Sequence, residues 1–289
     1  MIALAWMSGT LLSFCLMALG ARELSGSIPV FQILFFRSAI GLILISSLIL
    51  LLGKKRRFRT NRIALHTFRN TFHFLGQYGW FVGIGLLPLA EVFALEFTVP
   101  IWTAIIAAFF LGERVTPRKA ISILLGILGV MVIVRPGVEI VDVASLIVLG
   151  AAIGYAISYT ATKALSFSES PLTILFYMCL IQLPVSLFLS LPVWAWPAGI
   201  QWLWLVVIGV TALSAHFCLV RAMGHAEVTT VITLDFLRLP LIAVLGVLLY
   251  DEAFEFYLLV GAGLMLVGNW VNLSSLRNQR KKQLKNNNS

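Results

Sequence analysis

Seven side chains able to carry charge or donate hydrogen bonds stand within or beside apolar runs long enough to cross a bilayer. They are Arg37, Arg69, His73, Gln77, Glu96, Asp235 and Arg238. A charge in hydrocarbon costs several kcal/mol, so these groups must face protein or a water-filled path. Two carboxylates, three guanidiniums, an imidazole and a carboxamide suit the binding of a polar solute and the exchange of protons. They do not form the nucleophile, base and oxyanion site of an enzyme, and no catalytic residue is assigned.

The polar residues cluster by span. His66, Asn70, His73 and Gln77 recur at intervals of four, three and four, which places them on one helical face with Arg69 at its edge. His66 and Arg69 are near enough to the span's end to sit in the headgroup zone, whereas His73 and Gln77 lie at depth. The histidine spacing matches no zinc site, and no carboxylate or cysteine is near in sequence, so no metal or cofactor is expected. Arg37 is deep in its span, and three readings stay open: a structural ion pair, a place on a solute path, or snorkelling to an interface.

Glu96 shares a helical face with Pro100 and Thr103. Proline frees a carbonyl in the preceding turn, which has no water to satisfy it in lipid. Helices broken this way line transporter cavities. Asp235 and Arg238 are three apart and can pair on one face, as a self-neutralising structural feature or as part of a path.

These residues need spanning elements to hold them. Hydrophobic residues make up 60% of the 289 and charged residues 11%, against roughly 25% charged in soluble domains. Ten windows are long enough to cross a hydrocarbon core: 2–21, 28–52, 67–87, 90–111, 117–135, 142–162, 170–191, 202–222, 228–250 and 256–273. They lack the period-two alternation of a barrel. The expected fold is an all-α integral membrane protein of ten transmembrane helices. The first window has no basic leader and exceeds a signal h-region, so it is read as a span.

The net charge of +9 reads as topology rather than nucleic-acid binding. With the N-terminus in the cytoplasm, Lys54 to Arg62, Arg114 to Lys119, Lys163, Arg221 and the tail from Arg277 to Lys285 all fall inside. Only Arg22 and Arg135 fall outside. This positive-inside pattern puts both termini in the cytoplasm, with anionic lipid contact as a by-product. Cys15, Cys179 and Cys218 are scattered packing residues with no disulfide spacing. Trp194, Trp196, Trp202 and Trp204 suit an interfacial aromatic belt. Gly126 and Gly129 offer a face for packing in the bundle or for a homodimer.

The chain repeats itself. Pro29 matches Pro171, Arg37 matches Cys179, Glu96 matches Asp235, Glu113 matches Glu252 and Gly129 matches Gly268. Residues 1–137 form the first unit, 142–275 the second, and 276–289 a basic cytoplasmic tail. Five helices is an odd number, so the copies enter from opposite sides as two inverted five-helix repeats, a recurring basis of alternating access.

Arg37, Leu87-Pro88-Leu89-Ala90, Pro100, Gly112-Glu113-Arg114-Val115 and Val134-Arg135-Pro136-Gly137 in the first copy, with Pro240 and Asp251-Glu252 in the second, carry a family likeness. The chain resembles the drug/metabolite transporter superfamily, EamA type, over essentially its whole length. It departs where Asp251 replaces a usual glycine, and where Glu96 replaces a commonly small or hydroxylic residue. The resemblance implies a metabolite transporter of the bacterial inner membrane. Relatives of this type include amino-acid exporters, riboflavin importers and S-adenosylmethionine uptake systems. The expected function is secondary transport of a small organic metabolite, with export as the alternative direction and a membrane-embedded enzyme as a remote second class. No nucleotide motif is present to power primary transport.

Overall fold

The computed structural model describes residues 2–54, 58–96, 98–112, 116–134 and 143–251, with residues 256, 260, 261, 263, 264, 267, 268, 270 and 271 beyond them. Lys55, Arg56, Arg57, Glu113, Arg114, Val115, Arg135, Pro136, Gly137, Glu252 and the tail 276–289 lie outside the described residues. Among those described, every regular element is helical. In order these are α1 (Ile2–Leu24), α2 (Val30–Leu51), α3 (Ile63–Leu86), α4 (Leu89–Glu96), α5 (Val99–Leu111), α6 (Pro117–Val134), α7 (Val143–Ser166), α8 (Pro171–Ser190), α9 (Gln201–Met223), α10 (Val228–Leu234) and α11 (Arg238–Tyr250).

Polarity runs inside out. Leu51, Phe109 and Phe188 are 85%, 84% and 74% exposed, while Arg37, Arg69, His73, Glu96, Asp235 and Arg238 are buried. Water would select the reverse, whereas lipid accepts apolar side chains and makes the interior the only place for charge. α1, α2, α7, α9, and α8 with its 3-10 extension to Val193, are each long and apolar enough to cross a membrane. The molecule is a multi-pass membrane protein. α3 is as long but carries the polar stripe, and it begins before the expected window. His66 and Arg69 are consequently enclosed by protein, with 0% and 1% exposure.

Long helices pair antiparallel between the halves. On α1 and α9, Trp6 meets Phe217, Ser13 Oγ lies 2.7 Å from Ser214 Oγ, and Gly20 faces Ile208. On α3 and α7, Gly154 faces the Phe72 carbonyl, Gly76 faces Tyr155 and Gly83 faces Val148. On α2 and α8, Gly41 abuts Cys179. At the far end Gln32 donates to the Ala195 carbonyl and accepts from its amide, pinning the chain after α8.

Within each half, the first and third helices run parallel. Arg22 at the end of α1 donates to the Ile84 and Leu87 carbonyls at the end of α3, at 2.6 and 3.0 Å. Lys163 at the end of α7 donates to the Met223 and Ala226 carbonyls at the end of α9, at 2.7 and 2.9 Å. A cation suits a helix C-terminus, where carbonyls lack intrahelical partners. The spacing from Ile84 to Met223 is also that from Leu87 to Ala226 and from Glu96 to Asp235. Since α1 is parallel to α3 and antiparallel to α9, α3 and α9 run oppositely. The second half is an inverted copy of the first.

The windows 90–111 and 228–250 are not single helices. α4 ends at Glu96, and α5 starts at Val99 with Pro100 in its first turn. α10 ends at Leu234, a 3-10 turn covers Asp235–Leu237, and α11 starts at Arg238 with Pro240 in its first turn. Proline cannot continue a ladder, yet it fits a first turn, where its missing N–H has no partner to lose. The broken helices cross, α5 packing on α10 and α11 on α4. Both second segments end in a left-handed residue, Gly112 (φ 66) and Asp251 (φ 51). Gly126 and Gly129 on α6 are buried within the chain.

Candidate functional site

The two breaks bring the charged residues to the centre of the bundle. A cavity there is bounded by Glu96 and Arg238 from the broken helices, Gln77 and Trp80 from α3, and Arg37 from α2. Phe14 and Met17 from α1, Phe81 from α3, Tyr155 and Tyr159 from α7, and His216 from α9 complete its wall. Its free space is about that of one water molecule. A metabolite therefore needs the helices to part before it can load.

One side of the cavity is an ion cluster. Arg238 Nη2 donates to Glu96 Oε1 at 2.7 Å and forms an ion pair with Asp235 Oδ2 at 3.0 Å. Its guanidinium lies between the Phe14 and Phe93 rings, 4.7 and 4.9 Å from their centroids. Trp80 Nε1 donates to Glu96 Oε2 at 2.8 Å, so both Glu96 oxygens are engaged. Asp235 Oδ1 has no hydrogen-bond partner. Arg238 thus neutralises acids from both halves, and the aromatic walls exclude water from the cluster.

The opposite side is an amide network. Gln182 Nε2 donates to Asn70 Oδ1 at 3.2 Å and lies 2.9 Å from His73 Nδ1. Gln77 Nε2 approaches the same Nδ1 at 3.0 Å. Two carboxamides from α3 and α8 therefore converge on one ring nitrogen of His73. His73 meets His216 edge to face, their centroids 4.7 Å apart. Arg69 is held behind this network, its Nε on Thr162 Oγ1 and its Nη1 on Asn70 Oδ1. Arg37 Nη1 reaches Gln182 Oε1 only at 3.4 Å.

Arg37, Gln77, Glu96 and Arg238 therefore meet at one cavity. Asp235 and His73 touch it through Arg238 and Gln77, and Arg69 stands farther back. Asp235 and Arg238 pair as their spacing predicts, across a 3-10 turn rather than along a regular helix. The residues missing from the expected site are Trp80, Tyr159, Tyr155, Phe14, Gln182 and His216. His216 had a signal: it stands as far beyond Gln77 as Asp235 stands beyond Glu96. Phe14 and Tyr155 are likewise separated by the step that takes Arg22 to Lys163. Trp80 had none, since its indole matters only once Glu96 is brought beside it.

An inverted helical bundle with charged breaks around a closed central cavity defines a membrane transporter. Residues 1–135 and 143–274 each match the EamA-like transporter family, and the chain belongs to it. The S-adenosylmethionine uptake transporter of Rickettsia felis is 26% identical over 222 residues, covering 77% of this chain and 75% of its own. The riboflavin transporter of Vibrio cholerae is 27% identical over 267 residues, covering 91% and 89%. A solved structure at 20% identity superposes with a TM-score of 0.79 over 96% of this chain and 98% of its own, which shows a shared fold. The protein is a membrane transporter of the EamA-like family.

Proposed function

We propose that this chain is a secondary transporter of the bacterial inner membrane, with both termini cytoplasmic, that admits its cargo between Glu96–Arg238 and Arg37–Gln77 by alternating access. The carrying observation is the Glu96–Arg238 bridge, which joins the two inverted halves beside the closed cavity. Units 1–137 and 142–275 interlock through the α1–α9, α3–α7 and α2–α8 pairs, so access alternates by helices of both units parting about this site rather than by one whole unit moving against the other. Asp235, with one oxygen unpartnered, is the position for proton exchange. S-adenosylmethionine and riboflavin, the cargoes in the relatives' names, are the first candidates, with amino acids beside them.

The test is uptake of radiolabelled S-adenosylmethionine, riboflavin and an amino-acid mixture into proteoliposomes, with and without a proton gradient. Saturable uptake of one cargo, reduced at least about tenfold in both Glu96→Gln and Asp235→Asn while folding is retained, supports the reading. Uptake untouched by either change moves the path away from the breaks. The same vesicles loaded internally determine whether export is the faster direction.

A further inference from the structure

We propose that Arg37 is the receptor for an anionic group on the cargo, and that the transported class is a metabolite bearing a carboxylate. This inference rests on the transport reading above and names the cargo's chemistry.

Arg37 is 3% exposed and lines the cavity. No described carboxylate forms an ion pair with it, and its single hydrogen bond is the 3.4 Å contact with Gln182. Its Nε and Nη2 have no partner. Those two N–H groups lie on one edge of the guanidinium and form the fork that grips a carboxylate by two parallel bonds.

The contrast with Arg238 is chemical. Arg238 holds two acids and two aromatic faces, whereas Arg37 has only a distant carboxamide. Arg37, Arg69 and Arg238 face Glu96 and Asp235 alone in the central cluster, which leaves one positive charge uncompensated. The second half offers no relief, because the position matching Arg37 is Cys179, pressed against Gly41. A buried charge of this kind is a poor structural device, since an apolar residue of similar volume packs at least as well. It becomes favourable when an anion arrives from outside.

Two measurements on the full-length protein decide the matter. The first is the unfolding midpoint without cargo, in detergent. Arg37→Met is expected to leave it unchanged or to raise it by a few degrees, as when a site strained for function is relieved. A fall of several degrees would make Arg37 a structural residue and overturn the inference. The second compares binding of S-adenosylmethionine with its decarboxylated analogue, and of amino acids with their amides. The wild type is expected to prefer at least one acid about tenfold or more over its partner lacking the carboxylate. Arg37→Gln should abolish that preference, and Arg37→Lys should keep only part of it. Absence of any such preference in the wild type, or its persistence in Arg37→Gln, overturns the inference. Saturable riboflavin uptake with no carboxylate preference would leave the transport reading standing while this one fails. No saturable uptake of any probe by the wild type would instead sink the transport reading.

Discussion

Arg238 donates to Glu96 at 2.7 Å across a sequence separation of 142 residues, joining the two broken helices at the centre of the bundle. The same guanidinium holds Asp235 at 3.0 Å. Replacing Arg238 with Met strands two buried carboxylates. The expected loss of stability is about 3–5 kcal/mol, the range for breaking a buried pair from one side. Glu96→Gln keeps an oxygen for the guanidinium and is expected to cost about 1–2 kcal/mol. Thermal unfolding of the purified protein ranks the two, and a milder effect of Arg238→Met would mean the acids find other partners.

The caps at opposite ends of the bundle have equivalent roles. Arg22→Met frees the Ile84 and Leu87 carbonyls, and Lys163→Met frees those of Met223 and Ala226. Each change is expected to lower stability by about 1–2 kcal/mol, as for a charged hydrogen bond at a helix end. Hydrogen exchange should rise at the end of α3 in the first variant and at the end of α9 in the second. Exchange that rises at both ends in either variant would contradict separate caps.

Gly154 tests a close backbone approach of the halves. A Cβ built there would stand 2.9 Å from the Phe72 carbonyl and 3.3 Å from the Gly76 amide, so backbone must move. Gly154→Val is expected to cost about 1–3 kcal/mol through overpacking and to reduce the yield of folded protein. Gly150, one turn earlier on α7, would meet nothing within 4 Å. Gly150→Ala should be neutral or slightly stabilising, which makes it the matched control.

Gly112 and Asp251 end α5 and α11 in the same left-handed conformation, with φ of 66 and 51. Only glycine adopts it without steric strain. Asp251→Gly is expected to stabilise the protein by up to about 1 kcal/mol, and Gly112→Ala to destabilise it by a similar amount. Opposite shifts of the two unfolding midpoints verify the equivalence, and shifts of the same sign exclude it.

Much of the architecture was legible because lipid imposes simple rules. Apolar windows of spanning length and the matched prolines and acids require no tertiary contact to recognise. The helix breaks were half legible. Pro100 announced the first, but the 3-10 turn at Asp235–Leu237 emerged only in the folded chain. His66 and Arg69 were ambiguous between headgroups and interior, since a span's end cannot be located to one turn from hydropathy. Their burial behind α7 and α8, against Thr162 and Tyr177, surrounds both side chains with protein, which hydropathy does not reveal.

The membrane class, the inverted duplication and the identities of the buried charges were determined by the sequence alone, because each is set by local composition or by spacing between similar residues. The Asp235–Arg238 pair was also within its reach, as neighbours three apart on a helical path meet without help from the fold. Which charge satisfies which was decided by the tertiary structure. Glu96 reaches Arg238 and Trp80 only when the broken helices cross, and Arg37 is left facing the cavity because α8 brings it a carboxamide and no acid. Electrostatic pairing depends on distances of a few ångströms between helices remote in sequence, and only the packed bundle specifies those distances.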